Sequence, residues 1–109
     1  MKVWLDDMRK APAGWVRART PEEVIELLRL GRVTELSLDH DLGLDSEESE
    51  RTGYSVLLWL EVQVNAGSWG FVLPEISIHS ANPVGRERMA KAIEAIHRAE
   101  RATGAHEAE

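Results

Sequence analysis

The stretch SLDHDLG, residues 37–43, leads from an apolar residue into two aspartates, Asp39 and Asp41, that flank His40. With the residues before it, the stretch alternates apolar and polar side chains as a strand does, up to a polar end. In open parallel sheets, ligands bind outside the carboxyl ends of the strands. The stretch therefore predicts a strand that brings two carboxylates and an imidazole to a site, provided that the rest of the chain builds such a sheet.

The flanking sequence supplies the other elements of that sheet. Periodicity and punctuation predict strands at 2–5 (KVWL), 15–19 (WVRAR) and 75–80 (EISIHS), and helices at 20–31, 54–67 and from 83 onward. We expect strand 15–19 at an edge and the apolar strand 75–80 in a central position. Because strands alternate with helices, the predicted fold class is α/β, a three-layer parallel sheet of about four strands with helices on its faces.

The helix at 20–31 has the clearest boundaries. Thr20 is a preferred N-cap residue, Pro21 suits the first helical position, and Glu23 completes a capping box. Gly31 follows the last apolar residue, where helices commonly end. These residues predict both ends of the helix.

Length and composition limit the class of protein. A chain of 109 residues can bury one modest core, so we expect one domain over 1–109, with an acidic insert at 44–51 and a frayed tail at 103–109. No run approaches the ~18 apolar residues of a membrane helix, and the first residues do not resemble a signal peptide. The chain has no cysteine, which excludes disulfides and thiolate metal sites. We therefore expect a cytoplasmic protein without a membrane partner.

Charge is unevenly distributed along the chain. Residues 1–19 hold five basic residues against two acids, whereas residues 20–50 hold ten acids against two arginines, and the whole chain carries a net charge of −6. Long nucleic acid is bound through a continuous basic surface, which such a chain lacks. A short or terminal phosphate remains compatible with this distribution.

Three polar segments follow predicted strands, so that they meet at one edge of the sheet. Asp6 and Asp7 stand at the carboxyl end of the first strand, the triplet 39–41 at that of the third, and His79 and Ser80 at that of the fourth. Crowded carboxylates stay ionised only if a cation lies between them or some take up protons. Their oxygens suit Mg²⁺, Mn²⁺ or Ca²⁺, while histidines add a softer metal or serve as general acid and base. The candidate ligands of a divalent cation, with Mg²⁺ or Mn²⁺ preferred, are Asp6, Asp7, Asp39 and Asp41.

Each of these segments also has a structural interpretation. An aspartate after a strand often accepts a hydrogen bond from the backbone of its own turn. His79 suits a buried core position equally well, and Asn82 is a fitting N-cap for the last helix. The coincidence of three segments at one edge favours a site over three independent structural roles.

Segments of the chain resemble, in order, a response-regulator receiver domain. They are WLDD (4–7), LSLDHDLG (36–43), TGYSVLLWL (52–60) and ISIHSANP (76–83). The resemblance implies that Asp6 and Asp7 bind a metal ion, that Asp39 occupies the phospho-acceptor position and that Ser80 supplies the hydroxyl that contacts phosphate. Gly53 matches the glycine that opens the next helix.

The chain also departs from that family. The loop MRKAPAG (8–14) replaces the first helix, an acidic insert follows the third strand, and no fifth strand carries the lysine that a receiver uses to contact its phosphoryl group. The resemblance therefore implies a truncated, flavodoxin-like receiver fold that lacks the fifth strand.

A closer resemblance is to the divergent receiver-like family of cyclic-phosphate-processing receiver domains. Its motifs are similar to LDDMRKAP (5–12), SLDHDLG (37–43) and HSANPVGRERM (79–89), which together cover nearly the whole chain. This resemblance implies a metal-dependent role on cyclic phosphates such as 2′,3′-cyclic nucleotides or RNA ends. The expected partner is a small phosphorylated ligand or an RNA terminus.

That reaction has a candidate for every role. Opening a cyclic phosphodiester needs a base for water, an acid for the leaving oxygen and positive charge near the phosphoryl oxygens. The catalytic candidates are Asp39, His40 and His79, and the phosphate-binding candidates are Ser80, Asn82, Arg9 and Arg86. For the two arginines, neutralising nearby acids is an equally good interpretation.

Two questions stay open, one about function and one about self-association. The domain either turns over its ligand, binds a phosphorylated ligand or partner without turnover, or is itself phosphorylated on Asp39. The missing lysine and the negative charge of Asp41 weigh against phosphorylation. The helix at 54–67 is apolar on most faces, so it either packs centrally or shares a surface with a second copy in a homodimer.

Overall fold

The computed structural model describes residues 1–6, 9–39, 53–79 and 83–103, and it shows four strands and three helices there. In chain order these are β1 (Lys2–Leu5), β2 (Trp15–Ala18), α1 (Pro21–Arg29), β3 (Glu35–Leu38), α2 (Gly53–Asn65), β4 (Glu75–Ile78) and α3 (Pro83–Thr103). All neighbouring strands are parallel, in the order β2-β1-β3-β4. The predicted α/β class and its four-stranded parallel sheet are confirmed.

The strand order confirms one predicted edge and corrects the other. β2 lies at an edge, as expected, whereas β4 forms the opposite edge and is not central. The reason is that no further strand follows β4 among the described residues. An edge position also accounts for the partial exposure of Ile76 and Ile78, which would be covered in a central strand.

The helices lie on one face of the sheet. The connections β2-α1-β3 and β3-α2-β4 step across the sheet in the same direction, and right-handed crossovers then place α1 and α2 on the same side. α3 packs along α2 and also contacts β4. On this helix-covered face the central strands contribute a fully buried aliphatic layer of Val3, Leu5, Leu36 and Leu38.

The opposite face differs from the three-layer arrangement expected from the sequence. β1 is joined to β2 by a loop, and no helix of the described ranges returns to that side. We call this surface the helix-free face. Strand register places on it Lys2 and Trp4 of β1, Trp15 and Arg17 of β2, Glu35 and Ser37 of β3, and Glu75 and Ser77 of β4.

α1 begins and ends where its sequence predicts. The N–H of Glu23 donates to the hydroxyl of Thr20 at 3.2 Å, and the Glu23 carboxylate accepts from the N–H of Arg19 at 3.2 Å. Gly31, just past the helix, has φ of +73°, a conformation that side-chain-bearing residues rarely adopt. Val24 and Leu28 bury the inner side of the helix.

α2 packs centrally but keeps part of its apolar surface exposed. It buries Val56, Leu57 and Leu60 against the core, while Leu58 and Val62 lie on the outer side and are exposed. Central packing accounts for most of its apolar sequence, and a homodimer through the outer side stays a prediction. In the described part of the chain, no helix is both long and apolar enough to cross a membrane.

Candidate metal and phosphate site

Three chemically active side chains lie one position beyond the ends of three neighbouring strands. Backbone pairing continues past the strands: the N–H of Asp6 donates to Ala18 O at 3.0 Å, that of Asp39 to Leu5 O at 3.2 Å, and that of His79 to Leu38 O at 3.0 Å. Alternation along the strands then directs all three side chains to the helix-free face. One ligand atom of each lies within 4.8 Å of the other two.

Asp6 is held by contacts that leave one of its oxygens directed at His79. The residue is only 1% exposed. Its Oδ1 accepts from the backbone N–H of Arg9 at 2.8 Å, and its main-chain carbonyl accepts from Nε of Arg17 at 3.1 Å. Its Oδ2 lies 3.3 Å from Nε2 of His79. Oδ1 of Asp6 thus stabilises the local turn, whereas Oδ2 faces the proposed site.

His79 is fixed on both ring nitrogens and on one ring face. Nδ1 lies 2.7 Å from the hydroxyl of Ser37, and the ring stacks on Trp4 with centroids 3.7 Å apart and planes 5° from parallel. Because a carboxylate only accepts hydrogen bonds, the Nε2 hydrogen faces Asp6, and Nδ1 accepts from Ser37. Because a hydroxyl can also accept, Ser37 is able to bond the opposite tautomer as well, in which Nδ1 carries the hydrogen and Nε2 a lone pair.

The surroundings favour the neutral form of His79. Burial lowers its pKa below the usual 6.5, and the nearby positive charge of Arg9 acts in the same direction. The Asp6 carboxylate opposes these effects by charge and by hydrogen bonding, without overcoming burial. At neutral pH the imidazole is therefore uncharged, which is the state that binds metal ions or takes up a proton.

Gly53 allows α2 to start directly against this site. Its N–H donates to the backbone oxygen of Asp39 at 3.1 Å. A Cβ at this position would lie 2.6 Å from the same oxygen and 2.9 Å from Cε of Met89. The glycine that matched the receiver pattern is thus needed for close approach of two backbones beside Asp39.

Of the predicted site residues, the structure brings together Asp6, Asp39 and His79. The predicted positions that lie outside the described residues are Asp7, His40, Asp41, Ser80 and Asn82, together with the whole acidic insert 44–51. Their roles stay predictions.

The two arginines predicted to contact phosphate lie near the site. Arg9 shapes the Asp6 turn through its backbone, and its charge acts on the pKa of His79. The Arg86 guanidinium donates to the carbonyl of Ile78 at 3.2 Å, one residue before His79. This contact places Arg86 at the open edge of β4, and phosphate binding by either side chain stays a prediction.

Three residues that contact this site were not among the sequence candidates. Ser37 shares the strand face of Asp39, and this alternation was a usable signal for its position. Trp4 and Arg17 carried no such signal, because nothing in the sequence indicates that the described helices all lie on the other face of the sheet. They became recognisable only through the strand register.

A family model of the cyclic-phosphate processing receiver domain matches residues 1–95. No curated protein and no solved structure shows significant similarity to the chain. The matched range contains all four strands, α1, α2 and the cluster of Asp6, Asp39 and His79. The chain belongs to the family of cyclic-phosphate processing receiver domains.

Proposed function

We propose that the chain is a metal-dependent phosphoesterase-type domain that opens cyclic phosphates such as 2′,3′-cyclic nucleotides or RNA ends. The main support is the cluster of Asp6, Asp39 and His79, whose ligand atoms lie within 4.8 Å of one another in a chain of this family. We propose both that cyclic phosphates are the ligands and that the domain hydrolyses them.

The donor chemistry of the cluster fits a divalent cation. Two carboxylates suit Mg²⁺ and Mn²⁺, and an imidazole shifts the preference towards Mn²⁺. Asp6, Asp39 and His79 would hold the cation, with Asp7 and Asp41 as further predicted ligands. When bound, the cation supplies positive charge to the phosphoryl oxygens.

The hydrogen bonds of His79 distinguish metal binding from proton transfer, the two roles that the sequence left open for this residue. In a ligand role Nε2 carries no proton, and Nδ1 is bonded to Ser37, so neither nitrogen is available for proton transfer. We therefore assign His79 to the cation and proton transfer to His40. In the reaction, the oxygen of water bonds to phosphorus as water gives one proton to the base. The bond from phosphorus to one ribose oxygen breaks, and that oxygen takes up one proton, so the sum is one water added across the bond.

The test is hydrolysis of 2′,3′-cyclic AMP in Mn²⁺, followed by chromatography of the monophosphate, together with Mn²⁺ binding by calorimetry. We expect His79→Ala to lose both Mn²⁺ binding and hydrolysis, and His40→Ala to lose hydrolysis alone. His97→Ala changes a half-buried histidine of α3 and serves as the matched control. Absence of monophosphate from the unaltered protein at saturating Mn²⁺ would contradict the proposed reaction.

Two alternatives to hydrolysis, binding without turnover and phosphorylation of Asp39, predict different results in binding and labelling experiments. Binding of the cyclic nucleotide without turnover would support a binding module. Labelling by a small phosphodonor that disappears in Asp39→Asn would support a phospho-acceptor. The described residues contain no strand after β4, so they offer no fifth-strand position for the lysine of the receiver family.

A further inference from the structure

We infer that the helix-free face beside the cluster is a nucleobase subsite, in which Trp15 stacks on the base of the nucleotide whose phosphate lies at Asp6, Asp39 and His79. This inference rests on the proposed function. It names the part of the substrate that the chain recognises besides its phosphate.

A continuous line of rings leads from the cluster to Trp15. His79 stacks on Trp4 at 3.7 Å, and Trp15 meets Trp4 edge to face, with centroids 5.9 Å apart and planes at 77°. Trp4 therefore separates the imidazole from Trp15 by the width of one ring. If the phosphate of a nucleotide is bound at the cluster, its base either lies on the helix-free face, within reach of Trp15, or points into solvent.

The two tryptophans on this face differ from the other two in the chain. Trp59 and Trp69 pack edge to face against each other on the helical side, with Trp69 buried in the core. Trp4 and Trp15 are partly exposed on a sheet surface that no helix of the described residues covers. Partly exposed aromatic rings on a sheet are the usual stacking platform for unpaired bases.

Charge divides the helix-free face into two halves. Lys2 and Arg17 lie on β1 and β2 beside the tryptophans, while Glu35 and Glu75 lie on β3 and β4. The Lys2 ammonium lies 5.7 Å from the centre of the Trp15 ring and 3.4 Å from Oε2 of Glu35, so this ion pair marks the boundary between the halves. Arg17 then carries the remaining positive charge of the aromatic half. A phosphorylated nucleotide is attracted to the aromatic and basic half and repelled by the acidic half.

The size of this half fits one terminal nucleotide. Each strand has four residues, a length of about 13 Å. A surface of this size cannot follow a long strand of RNA, in agreement with the acidic net charge of −6. The occupant that the surface fits is a mononucleotide or the last nucleotide of an RNA end.

The experiment separates the base from the phosphate. Calorimetry in Mn²⁺ compares 2′,3′-cyclic AMP with glycerol 1,2-cyclic phosphate, which has the same five-membered ring and no base. We expect the nucleotide to bind roughly 5- to 150-fold more tightly, the range that one base–aromatic stack provides. Trp15→Leu should abolish this advantage, Trp15→Phe should retain most of it, and Trp59→Leu should leave it unchanged.

Each result decides the base subsite, the proposed function or both. If both cyclic phosphates bind equally well to the unaltered protein, or Trp15→Leu weakens both equally, the base subsite is wrong while the proposed function stands. If the nucleotide binds through Trp15 but is not hydrolysed, the subsite stands and the hydrolase proposal fails. If neither ligand binds, both fail. A dimer that Trp15→Leu converts to a monomer would show a protein interface on this face and overturn the subsite.

Discussion

The two faces of the sheet serve different purposes, and neighbouring residues of β3 show the contrast. Leu36 points to the helix-covered face, is fully buried and belongs to the hydrophobic core. Ser37 points to the helix-free face and is also buried, with 4% exposure, yet it is polar and bonds His79. Burial on the first face stabilises the fold, whereas burial on the second positions a reactive side chain. Stability and site chemistry should therefore respond to different substitutions.

The largest effect on stability is expected from the helix-covered face. Leu36→Ala leaves a cavity in a central strand and should lower the free energy of unfolding by about 2–5 kcal/mol. Ser77→Ala, at an exposed position of β4, should change it by less than about 0.5 kcal/mol. Urea denaturation followed by tryptophan fluorescence measures both. Equal effects of the two substitutions would contradict the division of the sheet into two faces.

Gly53→Ala should lower both the stability of the fold and the Mn²⁺ affinity of the site, because the first residue of α2 contacts the backbone of Asp39. The added Cβ has to displace the Asp39 carbonyl or move α2, at a cost of about 1–3 kcal/mol. Because Asp39 shifts, Mn²⁺ affinity should fall as well. Gly70→Ala is the matched control, since its Cβ meets nothing within 4 Å. A Gly53→Ala variant with unchanged unfolding and Mn²⁺ binding would show that the close approach is unimportant.

Ser37→Ala should lower the Mn²⁺ affinity of the site more than it lowers the stability of the fold. Without the hydroxyl, Nδ1 of His79 has lost its partner and the ring is less well oriented. Removing such an outer partner of a metal-binding histidine typically weakens metal affinity by roughly 10- to 100-fold. Calorimetric titration with Mn²⁺ measures the loss, and Ser37→Thr, which keeps the hydroxyl, should recover part of it. Unchanged Mn²⁺ affinity in Ser37→Ala would remove Ser37 from the site.

The smallest effect is a pH dependence carried by His79. Its pKa is lowered in the folded protein, so the unfolded chain binds the proton more readily. The stability that the neutral ring contributes is fully present above the unfolded pKa of about 6.5 and is lost as pH falls through the folded pKa. In metal-free buffer, urea denaturation from pH 7.5 to 5 should therefore show a steeper loss for the unaltered protein than for His79→Gln. Identical slopes would exclude His79 as the titrating group.

Local elements of the fold could be predicted from the sequence because local interactions determine them. Thr20, Pro21 and Gly31 set the ends of α1 through caps and backbone conformation, and alternation within 35–38 set the strand that leads to Asp39. The convergence of Asp6, Asp39 and His79 followed from one rule about parallel sheets. The family resemblance was confirmed by the match over residues 1–95.

The arrangement of layers could not be read in the same way. Which face a helix covers depends on the direction of each crossover, and that direction depends on strand order. The sequence predicts helices on both faces and a central position for strand 75–80, whereas the described helices lie on one face and β4 is an edge strand. For the same reason Trp4, Trp15 and Arg17 were not recognised as neighbours of the site.

The central claim is that Asp6, Asp39 and His79 share one divalent cation. The most direct measurement is anomalous scattering from crystals soaked in Mn²⁺. We predict one strong peak within bonding distance of a carboxylate oxygen of Asp6, a carboxylate oxygen of Asp39 and a ring nitrogen of His79. A peak that contacts only one of these residues, or no peak at saturating Mn²⁺, would contradict the proposed site.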